Sequence, residues 1–167
     1  MQTKINDPRI KFSKIEAKKI INKLGIKKPP ILLRAVIDLL KQSNDIEVCK
    51  WQFGENIDGV QITEGSSFTI GYNQERHVHR QRFTVAHEIG HIILGHTQSD
   101  HTFDLNCNKP KEKEANTFAA ELLIPTEMLK KDISNGVDVK ILSSKYFVSA
   151  ECLWWKIEEE KLLNKIM

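Results

Sequence analysis

The feature that most constrains this chain is His87-Glu88-Ile89-Gly90-His91, set in a stretch with helical apolar spacing. Phe83, Ala86, Ile89, Ile93 and Leu94 recur at helical intervals from Arg80 onwards, and Gly95 ends the run. Two histidines four residues apart then lie one turn apart on the same helix face. In a stripe of Phe83, His87, His91 and Leu94 the imidazoles need polar partners inside the fold, and one tetrahedral Zn2+ satisfies both at once. Glu88, next to the first histidine, can sit by the open position of such a site. There it can take a proton from water and pass it to a leaving amine. The spacing therefore supplies two ligands and a base.

A third protein ligand is required, and the sequence offers several. An extended H-E-x-x-H-x-x-G-x-x-H site is excluded, because Leu94 and Thr97 occupy its glycine and third histidine positions. His96 follows the glycine that ends the helix, so its direction is open. A carboxylate from a second helix suits better, as in gluzincin-like sites with two histidines and one glutamate. Residues 110–125, PKEKEANTFAAELLIP, read as that helix, with Pro110 near its start, acidic first turns and Pro125 closing it. Its apolar stripe is Ala115, Phe118, Ala119, Leu122 and Leu123. Glu114 and Glu121, seven apart, share a face, and either can look towards the first helix.

Elsewhere, Ser13 and Glu16 have the form of a capping box before Ala17, Ile20, Ile21 and Leu24, and Gly25 with Pro29-Pro30 stops that helix. A second helix runs from Ile31 to about Lys41. The period then changes to alternation over Ile46 to Trp51, Val60 to Thr63 and Phe68 to Tyr72, three short strands. The last two read as a hairpin around Glu64-Gly65-Ser66. After residue 125 helical patterns recur around Thr126 to Lys131, Val137 to Tyr146 and Ser149 to Leu163.

The run from Arg80 to His91, joined to the separate run from Glu114 to Pro125, resembles the ImmA/IrrE family of metallopeptidases. Looser matches at Pro30, the helix at 31–41, the strand at Ile46, Asp58-Gly59-Val60 and Ile70-Gly71-Tyr72-Asn73 extend the likeness over roughly residues 29–125. The tail shares only a turn at Phe147-Val148-Ser149. The resemblance implies an α+β fold with a zincin-like core, here with a small antiparallel three-stranded sheet and the active-site helix. It implies His87, His91 and Glu114 as zinc ligands, with Glu114 preferred over Glu112 and Glu121 because it directly precedes Ala115-Asn116. Glu88 would be the general base. The substrate class it implies is a helix-turn-helix repressor, whose cleavage relieves repression of mobile-element or stress genes. Arg80, Arg82, Tyr72, His77 and His79 are candidate oxyanion donors, the arginines equally suited to fixing the helix start.

On this reading the chain divides into a basic helical arm (1–28), a metallopeptidase core (29–125) and a helical segment packed on the core (126–167). Composition agrees: of 167 residues 40% are hydrophobic and 28% charged, enough to build a core. The net charge of +3 hides two parts, since residues 1–28 hold nine basic and two acidic residues while the remainder holds 16 and 20. The mildly acidic body argues against a nucleic-acid enzyme. A helix-turn-helix reading of Val139 to Leu163 meets the same objection, because Glu151, Glu158, Glu159 and Glu160 crowd its second helix. That tail is expected to pack or to dock protein, with Trp154-Trp155 half in the core. No apolar run approaches the roughly 18 residues of a membrane span. Neither a secretory h-region at the start nor a C-x-x-C pair among Cys49, Cys107 and Cys152 is seen, so a cytoplasmic location is expected. The loop from Thr97 to Pro110, with His101, Asp104 and Cys107, is a conceivable shield over the site, and Cys107 a conceivable extra ligand.

Overall fold

The computed structural model describes residues 8–96 and 109–166. Within them the order is α1 (Ile10–Lys23), α2 (Leu33–Leu40), β1 (Asp45–Trp51), β2 (Gly59–Glu64), β3 (Ser67–Asn73), α3 (Val78–Ile93), α4 (Lys109–Leu123), α5 (Thr126–Ser134), α6 (Val139–Tyr146) and α7 (Ala150–Glu159). The fold is α+β. None of these helices is long and apolar enough to cross a membrane.

Helix α4 is the axis of the structure. A stripe of five apolar residues is what its sequence suggests, yet Ala115, Phe118, Ala119, Ala120, Leu122, Leu123 and Ile124 are all inaccessible. The reason is packing on more than one side: α3 lies along one flank and α1 along another, so no face of its second half is left to water. Helix α1, read from the sequence as an arm, contributes Ala17, Ile20 and Ile21 to the same core. Helices α5 to α7 add Leu129, Leu142, Tyr146, Leu153 and Ile157.

The α1 start differs from the capping-box expectation. The helix begins one turn earlier, with Arg9 as its N-cap residue, so Ser13 lies inside it and bonds back to the Arg9 carbonyl at 3.0 Å. Glu16 pairs with Lys19 instead of capping. The tail places Leu153 and Ile157 inward, while Trp154 and Trp155 stay 43% and 39% exposed. Both are thus a little more than half covered, with part of each left to solvent.

The sheet has three strands, but it is mixed and not antiparallel. β2 and β3 form the expected hairpin, Glu64 opposite Ser67, with Gly65 in the left-handed region at φ 60°. β3 then inserts between the other two, giving the order β1-β3-β2, and it runs parallel to β1 from Asp45–Ser67 to Trp51–Asn73. Alternation reports which face a residue takes, not which strand lies beside it. The connection between Trp51 and Gly59 is long enough to skip one strand position of about 4.8 Å, and β3 fills the gap. Ile46 and Ile70 carry the buried face. Asn73 finishes β3 by donating to the Ile57 carbonyl at 2.8 Å and accepting from the Glu75 amide at 3.0 Å.

Four charged side chains that no apolar pattern marks join these layers. Lys156 is fully buried and its Nζ lies 2.7 Å from both Glu121 and Glu160, while Lys14 reaches Glu160 at 2.7 Å. Glu121 also accepts from the Thr126 amide and hydroxyl. Lys156→Met would leave the Glu121 carboxylate buried without its cation, and we expect a loss of about 3–5 kcal/mol in urea unfolding. Burial alone would raise the Glu160 carboxyl, but Lys14 and Lys156 hold it down to about 2 against an ordinary 4.5. A folded-state value below the unfolded one stabilises at pH above the unfolded value and fades as pH falls through the folded one. Glu160→Gln should therefore be less stable than the parent at pH 7, with the difference shrinking from pH 4.5 towards 2.

Candidate metal centre

Two helices with matched spacing build the site. His87 and His91 are four apart on α3, and Glu112 and Asn116 are four apart on α4, so each helix turns one pair towards the other. The helices come close because position 90 has no side chain: a Cβ there would stand 3.0 Å from Phe118 Cδ1 and 3.2 Å from the Ala115 carbonyl oxygen. His87 Nε2 and His91 Nε2 are 3.0 Å apart. Glu112 reaches them with one oxygen each, at 3.2 and 3.1 Å. His87 Nδ1 lies 2.8 Å from Asn116 Oδ1. The amide oxygen only accepts, so Nδ1 carries the proton and the lone pair of Nε2 faces the cluster.

These donors fit a metal ion. One ligand atom from each of His87, His91 and Glu112 lies within 4.8 Å of the others. Their spacings near 3 Å match the roughly 3.3 Å edge of a tetrahedron with 2.0–2.1 Å bonds. Side-chain exposures of 16%, 14% and 38% leave one side open to solvent, as a site that must admit a further molecule requires. The pocket also selects for positive charge. Burial would lower the His87 imidazole, yet hydrogen bonding to Glu112, with Glu88 and Asn116 nearby, raises it. The same histidines hold the Glu112 carboxyl far below its usual range. A proton and a metal ion compete for the same nitrogen lone pairs. Glu88, one position along α3, is raised above the usual carboxylate range, first by burial and then by Glu112, against the opposing pull of His87 and His91.

The structure brings together His87, His91 and Glu88 as the sequence reading groups them, but the carboxylate facing them is Glu112. Glu114 turns away, because two helical steps are about 200° of rotation. It accepts from the Arg9 amide at 2.8 Å, from Arg9 Nε at 3.0 Å and from Arg9 Nη2 at 2.8 Å, and lies 2.9 Å from His96 Nε2. Glu121 is committed to Lys156 and Thr126. The signal for Glu112 and for Asn116, which sequence reasoning missed, was their spacing of four, matching that of the histidines. Among the oxyanion candidates, Arg80 pairs with Asp58 at 2.6 Å, and Arg82 donates to the Ile31 and Phe147 carbonyls at 3.0 and 3.1 Å. Both fix the start of α3. His77 is its N-cap residue and accepts from the His79 amide. His101, Asp104 and Cys107 lie outside the described residues.

The sequence matches the family model described as the IrrE N-terminal-like domain, a peptidase family, over residues 42–155. The chain belongs to this family. No curated protein matches it. Among solved structures it is similar to a Mycobacterium tuberculosis transcriptional regulator, with a TM-score of 0.64 and 12% identity over 86% of this chain. That likeness is one of fold. The chain spans 45% of the regulator's own length.

Glu112→Gln is expected to weaken binding of a divalent ion sharply, and Asn116→Ala by about 10–100-fold. Titration with cobalt, whose visible spectrum reports tetrahedral coordination, measures both.

Proposed function

We propose that the protein is a zinc-dependent endopeptidase in which His87, His91 and Glu112 hold the metal and Glu88 is the general base. The observation that carries this is the meeting of two i, i+4 pairs, His87 with His91 and Glu112 with Asn116, beside a carboxylate whose proton affinity is raised. Zinc in this cluster supplies a Lewis acid that polarises a peptide carbonyl and makes a neighbouring water more acidic. Glu88 takes the proton of the attacking water and returns it to the leaving amine. Its raised proton affinity brings a carboxylate closer to the neutral range where such an exchange is efficient. Asn116 keeps the His87 ring oriented throughout.

Our reading of the substrate is a helix-turn-helix repressor, its cleavage relieving repression of mobile-element or stress genes in the cytoplasm. It rests on the resemblance to ImmA/IrrE metallopeptidases, and the structural likeness to a transcriptional regulator is consistent with a role in gene control. The same likeness favours a second reading, a zinc-stabilised interaction protein that regulates a repressor without cutting it. The acidic surface of α7 speaks against direct DNA contact.

Protein purified without chelator should carry about one zinc per chain, kept in Glu88→Gln and weakened in His87→Ala. Co-expression with a repressor encoded beside it should yield repressor fragments. Glu88→Gln should lower the cleavage rate by about 10²–10⁴-fold. Relief of repression with the repressor still full length would establish the interaction protein instead.

A further inference from the structure

Behind His91 lies a second set of polar groups that ends at Arg9, the N-cap residue of α1. Gly95, at φ 69°, ends α3 in a left-handed turn, and the His96 amide donates back to the His91 carbonyl at 2.9 Å. This turn folds the His96 ring against the helix it has just left. Its Nδ1 lies 2.9 Å from His91 Nδ1, and its Nε2 lies 2.9 Å from Glu114 Oε2. The His96 and Glu114 side chains are only 3% and 6% exposed, so water does not supply these partners.

The protons in this chain can be assigned in order. Glu114 accepts from the Arg9 amide at 2.8 Å and from the Arg9 guanidinium at 3.0 and 2.8 Å, the partners of an ionised carboxylate. An ionised carboxylate only accepts, so His96 carries its proton on Nε2. The nearby Arg9 Nη2, 3.4 Å from that nitrogen, does not compete, since its two hydrogens serve Leu94 O at 3.1 Å and Glu114 Oε2 at 2.8 Å. A positive charge on a ring only 3% exposed and with the Arg9 guanidinium 3.4 Å away is disfavoured, so the ring is neutral. A neutral ring with Nε2–H has its lone pair on Nδ1. Two nitrogens at 2.9 Å share one proton, so His91 Nδ1 donates it.

We infer that Arg9, Glu114 and His96 are positioning residues for the metal centre: they fix His91 with its proton on Nδ1 and its Nε2 lone pair facing His87 and Glu112. The inference rests on the zinc reading of that cluster. His87 reaches the same state through Asn116 alone, whereas His91 needs three groups, the last from the N-cap of α1. The first helix is thereby part of the centre, and its docking and metal affinity are coupled.

Two measurements test this. Zinc affinity is read by competition with a chromogenic chelator. His96→Phe, which keeps the volume and removes the acceptor, should bind about 10–100-fold more weakly. His96→Asn, which offers an amide oxygen near the Nδ1 position, should recover most of that loss. Nitrogen-15 spectra of the parent chain, zinc-loaded and metal-free, should show the His96 proton on Nε2 and a coupling across the hydrogen bond between the two Nδ1 atoms. Unchanged affinity in a folded His96→Phe chain, or a His96 proton on Nδ1, would overturn the inference. Failure of the parent chain to bind zinc would defeat the zinc reading alone, because the metal-free spectrum still decides where the protons lie.

Discussion

The close crossing of α3 and α4 is the constraint on which the remaining architecture depends. Gly90 against Ala115 and Phe118 brings the two backbones together, and only at that separation does a glutamate on one helix reach two imidazoles on the other. The other layers brace this pair. The sheet packs beside α3, α1 packs on α4, and the tail closes over the remaining apolar surface. Close packing of this kind transmits small displacements, because interiors have few voids to absorb them. A side chain at position 90 would therefore act on the cluster of His87, His91 and Glu112 without touching it.

Much of this was legible in the sequence, for identifiable reasons. Apolar spacing located the seven helices among the described residues, because burial of one face imposes a period that neighbours do not alter. The pair His87 and His91 was equally plain. What could not be read is how particular elements are placed against one another. That Glu112 and not Glu114 faces the two histidines is set by the helical rotation between positions 112 and 114, which a sequence motif does not contain. The parallel pairing of β1 with β3 was missed because alternation is identical in either direction. His96 had no readable direction until the left-handed turn at Gly95 was known. Lys156 looked like one more surface cation on a charged helix, yet it is buried between two glutamates.

Charge also means something different in three dimensions. The first 28 residues look like a basic appendage suited to an acidic partner. Two of their cations are already committed within the molecule, Arg9 to Glu114 and Lys14 to Glu160. The arm binds its own protein, and the excess that remains for an outside surface is smaller than the count suggests.

The chain of ions from Lys14 through Glu160 and Lys156 to Glu121 joins positions 146 apart in sequence. Contacts of that separation close late, since the entropy of the intervening loop must be overcome before they contribute. Without that link α1 is held on α4 by its apolar stripe and by Arg9 on Glu114. Arg9 reaches its place behind the histidines through that same helix. The tail and the site are thus linked through one helix: loosening of the tail around Glu160 removes a tether on α1, the helix whose N-cap residue is Arg9.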